Sequence, residues 1–357
     1  MPIYQREYDR KLRLGIVGVG SHSYRNIFPA LHYLPVELVA LCDLDESLAN
    51  ATAEEFVVGQ VYGDTARMYA EANLDAVLII VSPAMHPRLA IEAMIAGVHV
   101  WTEKPAAMRA SEVEEMIRVR DEHNLVAAVG YKKANMPATY KARELLQLPE
   151  FGRLRSVYGI YPMSIPRDGQ TALDSRQASK WLQDGCHPLS CMVALGGFVR
   201  EVTVLLGDGD DPDGVLFLKY DNGATGTFHI TGKAPAGHSI ERYDLFGDGG
   251  QVVSIENVTR VAYHRGMPFS YTGQTDFTGP GTDTGSVVWE ASNMLGTPEN
   301  KSDFIQGMFN ELSDFCEAIL DDRPIRVTNL EFALNIMNIY EAALQSNGQP
   351  VALPTKG

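Results

Sequence analysis

Lys104 stands in the stretch Trp101-Thr102-Glu103-Lys104-Pro105, directly after the apolar run Gly97-Val98-His99-Val100. A short apolar run bounded by turn residues suits a buried strand, and in open α/β sheets ligands collect just past the carboxyl ends of strands. A lysine placed there can turn its ammonium into the crevice and hydrogen-bond a hydroxyl or carbonyl oxygen of a substrate. Pro105 stiffens the exit and disfavours helix at Lys104. Taken alone, Glu103 and Lys104 also fit two solvated loop charges, so the neighbouring pattern has to decide.

A second chemical element is Gln183-Asp184-Gly185-Cys186-His187-Pro188. An imidazole, with an ordinary pKa of about 6.5, can take a hydroxyl proton while hydride leaves the same carbon. Pro188 suits the first turn of a helix ending near Leu195, which places His187 at the helix entrance, pointing outward. Taken alone, such a histidine more often fills an ordinary structural role. Cys186, His187 and Cys191 carry ligand-type side chains but lack a fourth, and Pro188 interrupts the spacing, so no metal is expected. The acidic run Asp208 to Gly214 has no bidentate glutamate at the required end of a calcium loop and reads as a solvated hairpin turn.

The elements that must hold these residues begin at Leu12-Arg13-Leu14-Gly15-Ile16-Val17, a strand running into Gly18-Val19-Gly20-Ser21-His22-Ser23 and then a helical pattern. This is a dinucleotide fingerprint in context. The first glycine permits a tight turn, the second lets backbone approach a pyrophosphate, and Ser21 and His22 open the helix on which that group rests. Ser23 takes the third position, where glycine or alanine is usual, predicting slightly looser helix–strand packing. A second strand, Glu37 to Cys42, ends at Asp43, near the spacing for a ribose contact; the alternative role of helix cap suits Asp45 better. A carboxylate there accepts ribose hydroxyls and repels a 2′-phosphate, and Leu44 follows rather than an arginine, so NAD is favoured over NADP.

The buried strand Asp75 to Val81 runs into Ser82-Pro83 on the same sheet edge, where both can border the nicotinamide half of the cofactor. His86 opens the next helix, with a locally satisfied helix-terminus role as its main one. With the strands near Val61, Val98 and Leu125 to Gly130, six strands alternate with helices by residue 130, an α/β Rossmann pattern.

On these residues the chain resembles the Gfo/Idh/MocA family of nicotinamide-dependent sugar and cyclitol oxidoreductases. The matching positions are Gly18-x-Gly20, Asp43, Asp75-Ala76-Val77 ending at Ser82-Pro83 with His86, Ala96 to Val100, Glu103-Lys104-Pro105, and Gly130-Tyr131-Lys132-Lys133 followed by Pro137; the segment from Phe315 through Val351 is similar to the family's closing segment. The resemblance implies that Lys104 is catalytic or substrate-orienting, that Glu103 borders the cofactor, and that His187 is the proton-transfer group. Ala134 stands where an arginine is common, which leaves Lys133 as the substrate contact, with Tyr161 and Gln183 as further ones. Aligned on Gly185 and His187, the family's Asp-x-Gly-x-His-x-x-Asp becomes Gln183 and Ser190 at its two aspartates. Asp184, one residue off, either orients His187 or is a turn residue.

Three segments are expected: a Rossmann domain over 1–133, an α+β substrate and oligomerisation domain with a mostly antiparallel open sheet over 134–300, and a closing helical segment over 301–357. Strands are predicted at Arg153 to Tyr161, Glu201 to Leu206, Val215 to Tyr220, Ala224 to Thr231, Glu241 to Phe246, Gln251 to Ile255 and Thr259 to His264. The stretch from Gly266 to Asn300 is long for a connection and lines the pocket or reaches a neighbour. Helices near Phe304 to Leu320 and Leu330 to Gln345 look structural.

The 357 residues are 45% hydrophobic and 21% charged, ordinary for a soluble protein, and the 45 acidic against 30 basic residues, net −15, argue against nucleic acid or an anionic membrane. No signal-like start or membrane-length apolar run is present, so a cytoplasmic protein is expected. Four cysteines at no framework spacing read as reduced thiols. The expected function is an NAD-dependent dehydrogenase acting on a secondary alcohol of a sugar, glycoside or cyclitol such as an inositol; by resemblance it is a homo-oligomer, dimer or tetramer. Two alternatives stand: elimination or epimerisation through a transient keto intermediate with NAD retained, and a non-catalytic NAD-binding sensor.

Overall fold

A computed structural model describes residues 8–175, 177–209, 212–232, 240–266, 285–291, 294, 296 and 301–354. The chain divides into two compact units, one holding residues to Asn135 and Gly307–Glu341, the other Met136–Ser175, Ser179–Gln306 and the residues from Ala342.

In the first unit, β1 (Leu12–Val17) leads through a π turn (Ser23–Ile27) to α1 (Phe28–Leu31), followed by β2 (Val36–Cys42), α2 (Glu46–Phe56), β3 (Gln60–Tyr62) and α3 (Thr65–Glu71). Then come β4 (Ala76–Ile79), α4 (His86–Ile95), β5 (His99–Thr102), α5 (Ala110–His123) and β6 (Ala127–Val129). The strands lie in the order β3-β2-β1-β4-β5-β6, all parallel, as the alternation predicts. Helical crossovers cover both faces of such a sheet. Accordingly Leu12, Leu14, Ile16, Val77, Leu78, Val100 and Trp101 are all buried. Short polar caps start the crossover helices: Asp45 Oδ1 accepts the Leu48 amide at 3.0 Å, and Asp64 Oδ1 accepts the Arg67 amide at 2.9 Å. Each such cap contributes about 1 kcal/mol.

The register positions the site. Val17 lies opposite both Cys42 and Ile79, Ile79 opposite Thr102, and Thr102 opposite Val129. One residue further along each strand, Asp43, Gly18, Ile80, Glu103 and Gly130 therefore form one row on the carboxyl edge. Strand order reverses at β1, which lies between β2 and β4, and that is the switch point where open α/β sheets bind ligands.

The second unit opens with α6 (Pro137–Leu145), β7 (Leu154–Tyr161), α7 (Gly169–Asp174) and α8 (Lys180–Gly196). It continues with β8 (Val199–Leu206), β9 (Gly214–Tyr220), β10 (Thr225–Ile230), β11 (Arg242–Gly247), β12 (Val252–Glu256), β13 (Arg260–Arg265), β14 (Gly285–Glu290), α9 (Ser302–Ile305) and β15 (Val351–Ala352). These strands form one sheet, β14-β13-β12-β11-β7-β10-β9-β8-β15, antiparallel except for the pair β10 and β7. All seven predicted strands are present. The long stretch from Gly266 contains a further strand, β14, while its residues 267–284 fall outside the described residues, as do Asp210 and Asp211 of the acidic hairpin.

The closing helices are α10 (Met308–Leu320) and α11 (Leu330–Gln345). Arg323, between them, pairs with Asp314 at 2.8 Å and with Glu317 at 2.9 Å. The four cysteines are free and buried, and no described helix is long and apolar enough to cross a membrane.

Candidate functional site

Gly18 turns the chain off β1 with φ +89°, and a Cβ built there would sit 2.2 Å from the Ile80 carbonyl oxygen. Only glycine fits so close a crossing of the β1 and β4 exits. At Gly20 a built Cβ meets nothing within 4 Å, so the backbone is open to approach from outside. Ser21 and His22 begin the helical segment 21–31, whose first amides have no partner within the helix and whose dipole favours an anion. Ser23, in the third glycine position, is buried and its Oγ donates to the Gly18 carbonyl at 2.5 Å. The helix takes its π turn at this residue, which widens it where a side chain replaces glycine.

Asp43 is oriented from two sides: its Oδ2 accepts the Val19 amide at 2.9 Å and its Oδ1 the Asp45 amide at 3.0 Å. The carboxylate thus ties the glycine loop to β2 while keeping lone pairs for further donors. It lines a cavity of about 330 Å³ with Gly18, Leu44, Asp64, Ser82 and Arg88. Burial pushes the thiol of Cys42, in the same wall, up to about 11, so it stays protonated there. An open Gly20 backbone, a helix amino end and a positioned carboxylate beside an adenosine-sized cavity fit a dinucleotide such as NAD. Sequence reasoning missed Arg88. It looked for a cation only beside Asp43, whereas α4 brings this arginine to the cavity from 45 residues away.

Losing the Asp43 carboxylate removes ribose acceptors and frees the Val19 amide. Asp43→Ala should therefore raise the Kd for NAD about 10- to 100-fold in a fluorescence titration, with a smaller change for NADP, which the carboxylate already repels.

At the end of β5, Glu103 is 5% exposed and engaged by two donors. His22 Nε2 donates to its Oε1 at 2.8 Å and the Lys104 amide to its Oε2 at 2.8 Å. Asn26 Nδ2 donates to His22 Nδ1 at 2.9 Å, which places the histidine proton on Nε2. The glycine-loop helix is thereby linked to the Glu-Lys-Pro turn. Lys104 is half-buried and its bond to Pro105 is cis. His86, fully buried at the start of α4, donates from Nδ1 to the Pro105 carbonyl at 2.8 Å. Burial lowers its pKa, so it remains neutral and clamps the turn from behind. Ser82 and Pro83 form the turn into α4, where Met85 and His86 amides donate back to their carbonyls at 2.8 and 3.3 Å.

After β6, Lys132–Asn135 form a single 3₁₀ turn in which Lys133 is 6% exposed. Burial lowers the pKa of Lys132, with Glu311 acting against that shift. Glu311 comes from the first turn of α10, a helix the sequence presents as structural. No periodicity could reveal it, because its partners lie almost two hundred residues earlier.

The remaining candidates belong to the second unit. Tyr161 ends β7, half-buried, on the same face as buried Val157 and Gly159. Helix α8 starts at Lys180, not near Pro188: Ser179 caps it, accepting the Leu182 amide at 3.2 Å, and Pro188 lies inside. An interior proline costs about 3 kcal/mol and removes the donor for the Asp184 carbonyl. Burial of Trp181, Leu182, Leu189, Met192 and Val193 outweighs that, at roughly 1.5–3 kcal/mol per large apolar side chain. His187 is thus two turns into the helix and half-buried rather than at its entrance.

Asp184, by the same token, is not a turn residue. It is half-buried three positions before His187, with Gln183, exposed, four before; both spacings make neighbours on a helix. Gly185 leaves room for the Trp181 indole, which a Cβ would meet at 2.6 Å. Ser190 is buried with its hydroxyl donating to the His187 carbonyl at 2.7 Å, so it serves the helix backbone.

A family model described as an oxidoreductase family with an NAD-binding Rossmann fold, Gfo/Idh/MocA, matches residues 12–131, and the Gfo/Idh/MocA C-terminal domain matches residues 139–253. The chain is similar to dTDP-3,4-didehydro-2,6-dideoxy-alpha-D-glucose 3-reductase of Saccharopolyspora spinosa, 27% identical over 68% of this chain and 74% of that protein. It is 21% identical to scyllo-inositol 2-dehydrogenase (NAD(+)) of Bacillus subtilis, covering 98% of each. Among solved structures it is similar to a dehydrogenase from Chromobacterium violaceum, with a TM-score of 0.80 and 22% identity, covering 95% of this chain and 96% of that one; at that identity the likeness is one of fold.

Proposed function

Because the chain belongs to the Gfo/Idh/MocA oxidoreductase family, we propose that it transfers a hydride between a secondary alcohol of a sugar, glycoside or cyclitol and NAD. The observation that carries this reading is the row of strand ends, which puts the glycine loop, Asp43 and Glu103-Lys104 on one edge. Two of its relatives, one named a sugar-nucleotide 3-reductase and one an inositol dehydrogenase, support redox chemistry at a ring carbon of a sugar or cyclitol.

NAD, when bound, supplies the hydride acceptor. Gly20 and the amides of Ser21 and His22 receive its pyrophosphate, Asp43 its ribose, and Ser82, Pro83 and Glu103 border it. Lys104 donates to the reacting oxygen, lowering the cost of the alkoxide-like charge that develops as its proton is withdrawn and collapses into the carbonyl as hydride leaves. His187 takes the hydroxyl proton, with Asp184 stabilising the imidazolium from one turn away. Lys133, Tyr161 and Gln183 contact the remaining hydroxyls.

The open face of the second sheet carries exposed Phe217 and Phe246 beside half-buried Tyr158 and Ile160, and this face joins copies into a homo-oligomer. The test of function is turnover of purified protein with NAD against sugars, glycosides and inositols, with products identified. Ketone formed one-for-one with reduced cofactor is expected. Product without net reduced cofactor would favour an internal redox cycle, and neither signal with NAD bound would favour a sensor.

A further inference from the structure

The glycine loop reaches sideways across the sheet. In the strand order β4 lies between β1 and β5, yet His22, which follows the loop leaving β1, holds Glu103 at the end of β5. On its other side the same loop is tied to β2, where the Val19 amide donates to Asp43 Oδ2 at 2.9 Å. The imidazole is itself aimed. Asn26, four residues on, donates to Nδ1 at 2.9 Å and so turns the Nε2 hydrogen towards Glu103 Oε1, 2.8 Å away. Receiving a pyrophosphate asks only backbone amides of this position, which leaves the side chain available for a second task.

Two clamps hold the Glu-Lys-Pro turn. At its far end His86, fully buried, donates to the Pro105 carbonyl at 2.8 Å, and this clamp is independent of anything bound at the loop. At the near end Glu103, 5% exposed, gives one oxygen to the Lys104 amide and the other to His22. The bond to the Lys104 amide fixes the peptide plane from which the lysine side chain departs. A carboxylate this buried is held in one orientation by a directed donor at each oxygen. The His22 side chain is 45% exposed, so water enters if the imidazole is removed. Water supplies a donor without a fixed direction, and the carboxylate and the Lys104 peptide are then both released.

We propose that His22 is a positioning residue that passes nucleotide occupancy of the glycine loop to Lys104. This rests on the NAD-dependent reading of the site. A pyrophosphate received by the Ser21 and His22 amides fixes the backbone that carries the imidazole. The imidazole then fixes Glu103, and Glu103 fixes the peptide of Lys104. Lys104 is therefore set for reaction when a nucleotide is in place, and by reciprocity a set turn holds the loop in its receiving shape. Strands β1 and β5 keep their own ladders with β4, so loss of the imidazole uncouples loop from turn without unfolding either.

Hydrogen exchange of the full-length protein, read by mass spectrometry with and without ADP-ribose, tests the coupling. That probe carries the pyrophosphate and lacks the nicotinamide ring, so the ring itself cannot shield the turn. In the wild type it should slow exchange about tenfold both in the glycine loop and in the peptide spanning Glu103 and Lys104. His22→Ala should keep the first effect and lose the second, and His22→Gln, whose side-chain amide donates at a similar reach, should restore it. A turn unaffected in the wild type, or equally protected in His22→Ala, would overturn the proposal. Should His22→Ala not fold, His22→Asn takes its place: one carbon shorter than Gln, it should leave the turn unprotected, and equal behaviour of Asn and Gln would overturn it. With a turned-over substrate, His22→Ala should lower kcat about tenfold, but less than about twofold in a Lys104→Ala background; effects that multiply would contradict action through Lys104. Protection of the glycine loop by neither ADP-ribose nor NAD would instead sink the cofactor reading, and this inference with it.

Discussion

Lys104→Ala should lower kcat by two to four orders of magnitude, about 3–5 kcal/mol of transition-state stabilisation, while leaving NAD affinity within a few-fold of wild type. The separation follows from position. The nucleotide is received by the glycine loop and Asp43, at the ends of β1 and β2, whereas Lys104 lies at the end of β5, beyond β4 in the sheet order. Its backbone is fixed independently of its ammonium: the amide is held by Glu103 and the Pro105 carbonyl by His86. Truncating the side chain therefore removes a donor to the reacting oxygen without loosening the turn. Lys104→Arg tests geometry rather than charge, since a planar guanidinium on a longer side chain cannot serve as a point donor at the same place, and it should recover little. Steady-state kinetics paired with a binding titration reads both quantities. A variant with wild-type kcat would remove Lys104 from the chemistry.

Gly18→Ala should damage both stability and cofactor binding. The added methyl would lie 2.2 Å from the Ile80 carbonyl oxygen, and φ +89° is unfavourable for any residue with a Cβ. Either β1 or β4 must shift, so the expected loss is about 2–4 kcal/mol, or roughly 5–15 °C in Tm, with NAD binding weakened about 100-fold or more. Gly20→Ala is the internal control. Its methyl meets nothing within 4 Å, so it should change Tm little and act mainly on NAD, where backbone has to approach the pyrophosphate. Thermal melts with and without NAD distinguish the two glycines; equal effects on Tm would contradict the geometry.

Much of the first unit is legible locally, because a parallel strand is a short apolar run and its crossover helix carries its own cap. Asp45 and Asp64 cap α2 and α3 from within their own segments, and the glycine loop is read from six consecutive residues. Asp43 is legible for the same reason. Helix α8 shows where local reading fails: Pro188 resembles a helix start, but the decisive terms are the Ser179 cap nine residues earlier and an apolar face buried by tertiary packing. Correcting that start also changes the chemistry, since Asp184 and Gln183 become helical neighbours of His187 instead of loop residues. Glu311 and Arg88 were illegible for a different cause. Each is an ordinary charged residue on an ordinary helix, and only the fold brings one beside Glu103 and the other to the cavity of Asp43.

The central claim is that hydride passes between a carbinol carbon and NAD. The most direct measurement uses a substrate from the active panel deuterated at that carbon, followed by mass analysis of the nicotinamide recovered after a single turnover. The account predicts one deuterium in the reduced nicotinamide and a ketone at the labelled carbon, with neither formed by Lys104→Ala. Product carrying its deuterium, or deuterium lost to water with the cofactor unlabelled, would contradict it.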